Sequence, residues 1–370
     1  MKVIYLYPAL AIWGGIERIL VDKMNYLVRH YGYEVYMITS DQGQHPIPYE
    51  LDDRIHFTDL DIRFHSRYRY KRLRRYKEYV RLSCLYHDRL QKLFENIHPD
   101  VIVCTTSQFV RPLLQIKGNI PLVVESHINF SHPDTLLHRI RNRYNNYWIG
   151  KAEAVVTLTN GDAENWSRVS KHVHVIPNVV YLNDTSQYSD CTAKRVLFVG
   201  RFEEQKSIED LFAIWKLVHP QHPDWHLDLY GEGTQWNHFK QEAVALNINI
   251  EVHPPTRQIM DVYRSSSILV LTSLYEPFGL VLPEGMSCGL PVVSFDSPYG
   301  PATIITEREE GFLIPNRNHQ VFANRLGLLM NDIDLRQQMG MKAIISSQRF
   351  SADKIMPMWK ELIEHLSSLS

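Results

Sequence analysis

The sequence predicts an α/β protein built from two domains of Rossmann size. Three observations carry this. The chain has 370 residues, a length that suits two such domains. Short apolar runs of the kind buried in parallel sheets alternate with amphipathic stretches of helical period. The order strand, loop, helix opens the chain at residues 2–31 and returns at residues 195–218.

Composition narrows the class. The apolar fraction is 44%, ordinary for a chain with a large core, and the formal net charge is −1. The charge is uneven: residues 1–180 carry a net +6 and the remainder a net −7, which fits different partners for the two halves. Cys84, Cys104, Cys191 and Cys288 show no paired spacing, so neither a zinc site nor a disulfide framework is indicated, and cytosol is the expected compartment. Residues 1–13 resemble a short signal peptide, but the single charge, Pro8 and the Gly14-Gly15 pair favour a first strand and its loop. No apolar run reaches the roughly 18 residues needed to span a bilayer.

In chain order, residues 2–7 read as the first strand and 8–15 as a loop. A helix over 16–31 follows, with Ile16, Ile19, Leu20, Met24 and Leu27 at helical spacing and Gly32 as its stop. Gly14 and Gly15 sit where a backbone can approach a phosphate. They do not form G-x-G-x-x-G, which argues against a nicotinamide cofactor. Strands are expected at 34–39, 55–60, 101–104, 121–125, 153–158 and 174–176. His127 follows the strand at 121–125, at a strand exit of the kind that functional residues favour in open α/β sheets. Residues 63–81 stand apart, with nine cations (Arg63, Arg67, Arg69, Lys71, Arg72, Arg74, Arg75, Lys77, Arg81) among Tyr68, Tyr70, Tyr76 and Tyr79. That mixture suits an anionic membrane surface or a polyanionic acceptor; the plainer reading is a solvated helix face. Nothing else resembles a nucleic-acid-binding module.

The polar run 183–192 reads as a linker, and the second half opens with a strand at 195–199. The loop after it holds Arg201 and Lys206, which can project over one site and grip a diphosphate, Arg as a fork and Lys as a point charge. A helix over 208–218 and strands at 226–230, 248–253 and 268–271 follow. After the last strand come a turn with Pro277 and Gly279, a short helix over 280–288 and a strand at 291–295. Pro283 falls in the first turn of that helix, where a missing N–H costs little. A helix N-terminus there offers free N–H groups and a dipole to an anion. Glu276 and Glu284 frame it, and carboxylates beside an anion site have hydroxyl groups as natural partners. A ligand both anionic and rich in hydroxyls is a sugar nucleotide.

Glu276 and Glu284, with seven residues between them inside E-P-F-G-L-V-L-P-E-G-M-S-C-G-L-P-V-V, resemble the signature of the retaining glycosyltransferases of family 4. The resemblance covers nearly the whole chain, with its specific motifs mostly in the second half. It implies the GT-B fold: a Rossmann-like acceptor domain at 1–180, a Rossmann-like donor domain at 181–351, a cleft between them, and a C-terminal helix (352–370) that crosses back to the first domain. By the same resemblance, G-G-I-E-R with Gly14 and Gly15 closes on the donor, and His127 reaches the donor sugar. G-R-F-x-x-Q-K with Arg201 and Lys206 binds the diphosphate, and Gly231 belongs to a further donor loop. His253 and the turn after it lie near the base. Glu276 and the backbone of Phe278, Gly279 and Leu280 hold the sugar and phosphate, and Glu284 takes the ribose hydroxyls. Ser207 departs from the family, which often has Gly there. Residues 297–301, Ser-Pro-Tyr-Gly-Pro, resemble a subset acting on lipid-linked or cell-surface saccharides, although that subset often carries an acid where this chain has Ala302-Thr303.

The reaction implied is transfer of a glycosyl group from a nucleoside diphosphate sugar, UDP in first place, to a hydroxyl of a saccharide, with retention and without a metal or other cofactor. The expected setting is the inner face of the cell membrane, with a lipid-linked or envelope glycan as acceptor. Asp59-Leu60-Asp61 and Asp332-Ile333-Asp334 match D-x-D by letters only. A glycoside hydrolase would need its two carboxylates about 5–5.5 or 6.5–9.5 Å apart across one bond, and leaves Arg201 and Lys206 without a role. A sugar-nucleotide epimerase of the same fold and a non-catalytic sugar-nucleotide or membrane-binding protein remain as alternatives.

Overall fold

The chain begins with a strand buried along its middle, Lys2–Tyr7 (β1), and builds outward from it. The structure, a computed structural model, describes residues 1–127, 130, 136–180, 182–183 and 187–369. It divides into two units, Met1–Val179 with Ile355–Ser370, and Val180–Lys354.

In the first unit β1 pairs in parallel with Glu34–Thr39 (β2) and Val101–Cys104 (β4). His56–Asp59 (β3), Leu122–Glu125 (β5), Ala154–Thr157 (β6) and Val173–Val175 (β7) complete a sheet ordered β3-β2-β1-β4-β5-β6-β7. The strand order reverses beside β1, the topological switch at which open α/β sheets place their ligands. The helices are Gly15–Tyr31 (α1), Arg72–Ile97 (α2), Ser107–Ile116 (α3), Leu136–Ile149 (α4) and Asn160–Trp166 (α5). Tyr86 and Leu90 of α2, Phe109 and Leu113 of α3, Ile149 of α4 and Trp166 of α5 share one core with Ile4, Ile102 and Val155 of the sheet. Gly32 ends α1 at φ 65, its N–H bonded to Leu27 O.

The second unit repeats the plan. Arg195–Val199 (β8), His226–Tyr230 (β9), Ile250–His253 (β10), Ile268–Leu271 (β11), Val292–Phe295 (β12) and Gly311–Ile314 (β13) form a parallel sheet ordered β10-β9-β8-β11-β12-β13. Around it lie Ile208–Val218 (α6), Trp236–Leu246 (α7), Ile259–Arg264 (α8), Val281–Ser287 (α9), Gly300–Ile304 (α10), His319–Asn331 (α11) and Ile333–Ser347 (α12). The last helix, Ala352–Ser367 (α13), belongs from Ile355 onward to the first unit, where Trp359 covers the Lys23 side chain of α1.

The expected strands are found to within two residues at each end, while β13 at the edge of the second sheet has no expected counterpart. The helices expected at 16–31, 208–218 and 280–288 are found to within one residue at each end, and the one expected at 352–370 ends at Ser367. The basic segment splits into a 3-10 turn, Phe64–Arg69, and the start of the 26-residue α2. Helix α3, for which no range is expected, contains Pro112. Asp59, at the end of β3, accepts from Thr39 Oγ1 at 3.0 Å and from the Gly43 N–H at 2.9 Å. Asp332 caps α12 through the Leu335 N–H at 2.9 Å. The lead carboxylate of each D-x-D triplet thus holds backbone. Among the described residues no helix is long and apolar enough to cross a membrane.

Candidate active site

Two loops of the second unit, each leaving the carboxyl end of a neighbouring strand, are stitched together. Residues 200–207 follow β8 and residues 272–280 follow β11. The Leu274 N–H donates to Gln205 O at 2.8 Å, and Gln205 Nε2 donates to Tyr275 O at 2.9 Å. Thr272 Oγ1 donates to Lys206 O at 3.0 Å. This stitching brings Lys206 and Glu276, 70 residues apart in sequence, into a direct ion pair in which Nζ donates to Oε2. Ser273 Oγ donates to the same carboxylate oxygen at 3.0 Å. Both charged groups are largely buried.

The backbone of Glu276 is held from the far side by the turn after β12. Its N–H donates to Pro298 O at 2.8 Å, and its carbonyl accepts from Tyr299 and Gly300 at 2.9 and 2.8 Å. The Ser-Pro-Tyr-Gly-Pro turn therefore fixes the backbone that carries this carboxylate, a role that sequence reading did not assign to it. Gly300 is required there, since a Cβ would lie 2.0 Å from Phe278 O.

Ser207, the departure noted above, adopts the left-handed region at φ 46. That conformation explains a preference for glycine. Here Ser207 Oγ donates to Asp210 Oδ2 at 2.8 Å, a local bond that helps hold the strained residue. Asp210 also meets His319 Nε2 at 2.9 Å and Arg317 at 3.2 Å. Arg201 leaves the same loop as Lys206, is exposed, and makes no ion pair among the described residues.

Gly279 sits at φ 94 just before α9, whose seven residues are fewer than expected. The Leu282 N–H turns back to Gly279 O, Pro283 has none, and the Glu284 N–H goes to Leu280 O. Among the described residues, the N–H groups of Gly279, Leu280 and Val281 have no hydrogen-bond partner, so these are the donors left for an anion. Glu284 is buried and accepts from Tyr263 OH at 3.1 Å. Phe278 packs edge-on to Phe350 in the interior, so only its backbone can serve a ligand. Gly231 comes so near the end of β8 that a Cβ would lie 1.9 Å from Gly200 O; this close approach alone requires the glycine.

His253 stacks on Tyr230, with Nε2 3.3 Å from Asp228 Oδ1 and 3.5 Å from Glu251 Oε2. Asp228, Glu251 and His253 form the one group among the described residues with the donor atoms and spacing of a cation site. Asp228 also pairs with Arg195 at 2.7 Å, so a guanidinium already supplies its counter-charge.

The first unit presents the remaining candidates. Gly14 caps α1 without a side chain, and a Cβ there would lie 2.0 Å from Glu17 Oε2. The glycine thus admits the Glu17 carboxylate, which accepts from Tyr7 OH at 3.0 Å and lies at the positive end of the helix. Burial, together with Glu17, raises the Tyr7 phenol above its ordinary range. Gly15 is the first residue of α1. His127 is not open to the surface: its side chain is 3% exposed, with Nε2 3.3 Å from Glu125 Oε1 and out of line for a hydrogen bond. Glu125 receives Lys23 Nζ at 2.5 Å on both oxygens, with Lys23 1% and Glu125 2% exposed. Burial pushes the Glu125 carboxyl up, but Lys23 and His127 outweigh it and hold it down at about 2. A depressed carboxyl stabilises the fold above the ordinary carboxylate pKa, and that contribution fades as pH falls from about 4 toward 2. Lys23→Met leaves Glu125 buried without its lysine partner and is expected to cost about 3–5 kcal/mol in urea unfolding at neutral pH. Lys23→Met with Glu125→Leu should recover most of that loss.

Sequence profiles of two families match consecutive stretches of the chain. Residues 13–184 match Glycosyltransferase Family 4, and residues 185–345 match Glycosyl transferases group 1. The chain is a family 4 glycosyltransferase. Its similarity to an uncharacterized glycosyltransferase of Haemophilus influenzae is 27% identity, covering 95% of this chain and 96% of that one. It is 24% identical to the amylovoran biosynthesis glycosyltransferase AmsD of Erwinia amylovora, covering 98% and 99%. A Campylobacter jejuni relative, an N-acetylgalactosaminyltransferase acting on an undecaprenol-diphosphate-linked saccharide, is 23% identical over 100% and 99%. Among solved structures, a point mutant of Staphylococcus aureus TarM in complex with fondaparinux, alpha-GlcNAc-glycerol and UDP superposes with a TM-score of 0.82 at 16% identity, covering 98% and 99%. The fold of this glycosyltransferase is GT-B.

Proposed function

We propose that this glycosyltransferase moves a sugar from a UDP-sugar to a hydroxyl of a cell-envelope saccharide, with retained configuration and without a metal. The observation that carries the reading is the Lys206–Glu276 pair beside the free amides of Gly279, Leu280 and Val281. Breaking the bond between the sugar and the diphosphate puts negative charge on the diphosphate and positive charge on the sugar. Arg201, Lys206 and the three amides suit the first, and Glu276 suits the sugar. Glu284 takes the ribose hydroxyls, and His253 lies toward the base. The Gly14-Gly15 loop and His127 of the first unit stay assigned to the donor by the family resemblance. The acceptor oxygen forms the new bond on the face the diphosphate leaves, and its proton passes to a leaving phosphate oxygen. No side chain is needed as a covalent nucleophile. TarM, similar in fold, was solved with UDP, which supports the choice of nucleotide.

A screen of UDP- and GDP-sugars for thermal stabilisation, followed by transfer assays, tests the reading. UDP-sugars should stabilise the protein, and transfer should continue in EDTA. Loss of activity in EDTA that added Mg²⁺ or Mn²⁺ restores would contradict the metal-free reaction.

The acceptor side rests on the basic segment. Within the first ten residues of α2, Glu78 alone is partly buried, while Leu73 is 79% and Tyr76 66% exposed. The first turn of α2 holds no acid, so its cations stand at the unfavourable end of the helix dipole. Part of the tyrosine interleaving is internal: Tyr68 lies under Arg67 and Arg75, and Tyr70 under Arg74. The exposed apolar and cationic groups that remain suit the anionic inner face of a cell membrane, where a lipid-linked acceptor resides. The relatives acting on amylovoran and on an undecaprenol-linked saccharide support this setting. Replacing Arg72, Arg74, Arg75 and Lys77 by Ser should weaken sedimentation with anionic vesicles, most at low salt, and leave UDP binding unchanged. Vesicle binding equal to wild type would make the segment a solvated face.

A further inference from the structure

A second basic feature of the first unit lies outside the donor loops and outside residues 63–81. Helix α4 and the turn after α5 enclose an open groove of about 760 Å³. Arg139, Arg143, Lys151 and Arg168 line it, and none of the described residues along it is acidic. All four cations are exposed, and none forms an ion pair among the described residues. One of them meets an aromatic ring: Lys151 Nζ stands 4.8 Å from the centre of Tyr147. The walls are fixed by packing. Gly150 brings the end of α4 against the turn so closely that a Cβ would lie 2.1 Å from Val169 O. Phe130 meets Trp166 of α5 edge-on at 4.9 Å.

Four like charges around one groove repel each other unless an anion enters. Three of them are guanidiniums, whose planar forks match phosphate oxygens. The groove is not purely polar, however. Ile140 is 60% and Tyr147 59% exposed, both along it. An inorganic anion would satisfy the cations and leave this apolar surface wet. A phosphate carried on a hydrocarbon chain satisfies both, with tyrosine at the boundary where its ring and hydroxyl each find a suitable medium.

We infer that the groove between α4 and the turn after α5 binds the phosphate head of a membrane lipid. The inference rests on the membrane reading above for the source of the ligand; the groove itself does not. Helices α2, α3 and α4 contribute to one core on the sheet, and α3 touches its neighbour directly, with Arg111 donating to Tyr144 OH of α4 at 2.6 Å. The lipid site would thus add a specific headgroup contact to the diffuse attraction of α2.

The test uses the full chain, a variant with Arg139, Arg143, Lys151 and Arg168 replaced by Ser, and a second with Ile140→Ser and Tyr147→Ser. Binding to phosphatidylcholine vesicles with and without phosphatidylglycerol is measured by flotation. Binding to a short-chain phosphatidic acid below its micelle concentration and to inorganic phosphate is measured by calorimetry. The four-cation variant should lose on the order of 100-fold in affinity for the anionic vesicles. It should lose the short-chain lipid equally, while retaining UDP binding and its circular dichroism. The Ile140/Tyr147 variant should weaken the short-chain lipid by about tenfold. Vesicle and lipid binding unchanged in the four-cation variant overturns the inference. So does inorganic phosphate binding as tightly as the short-chain lipid, which would make the groove a free-anion site. Absence of vesicle binding by the wild type, with short-chain lipid still held by the four cations, would refute the membrane reading and uphold the groove.

Discussion

Arg201→Ala and Lys206→Ala should each lower transfer from a UDP-sugar by on the order of 100-fold or more, the loss expected on removing one preorganised charge from a site where negative charge develops. The structure separates the two in stability. Arg201 is exposed with no ion-pair partner among the described residues, so its removal should leave unfolding within about 0.5 kcal/mol of wild type. Lys206 neutralises the buried Glu276, so Lys206→Ala strands that carboxylate with Ser273 as its remaining side-chain donor among the described residues and should also lower stability. Adding Glu276→Ala to Lys206→Ala should restore stability without restoring turnover, a non-additive outcome expected of groups in contact. Turnover like wild type in both single variants would remove the diphosphate role from this loop.

The paired glutamates should divide binding from chemistry. Glu284→Ala should weaken UDP by about 10- to 100-fold, because a buried carboxylate that accepts from hydroxyl groups contributes about 1.5–3 kcal/mol. Tyr263→Phe, which removes the donor seen at 3.1 Å, should give a smaller effect of the same kind by letting the carboxylate turn. Glu276→Ala should abolish transfer yet leave UDP affinity equal or higher, since it releases the Lys206 charge toward the phosphates. Calorimetric titration with UDP decides between them; a larger loss in Glu276→Ala than in Glu284→Ala reverses the two roles.

What could be read in advance follows physical lines. Strands such as β1, β8 and β11 are short apolar runs closed by glycine, proline or polar residues, and a parallel sheet buries them on both faces, so composition alone marks them. Helix α4 is rich in Asn, Tyr and Arg and has no clean apolar stripe, and α2 buries nothing before Leu82, so neither announces itself by period. At the site, the loops were legible because their residues are local: Arg201 with Lys206, and Glu276 with Gly279 and Glu284. The contacts between loops were not. The Lys206–Glu276 pair, the clamp of residues 298–300 on the Glu276 backbone and the burial of His127 beside Glu125 depend on which strands are neighbours. Ser207 lies between these cases: a serine where glycine is usual signals a special backbone, and the positive φ supplies its reason.

The most direct test of the central claim follows the anomeric carbon. With the full chain, a stabilising UDP-sugar of α configuration and a saccharide acceptor, the product's anomeric proton is read by NMR alongside the UDP released. The proposal predicts an α-linked product formed in step with UDP, lost in Glu276→Ala and Arg201→Ala. A β-linked product, or consumption of the donor without transfer to the acceptor, would contradict it.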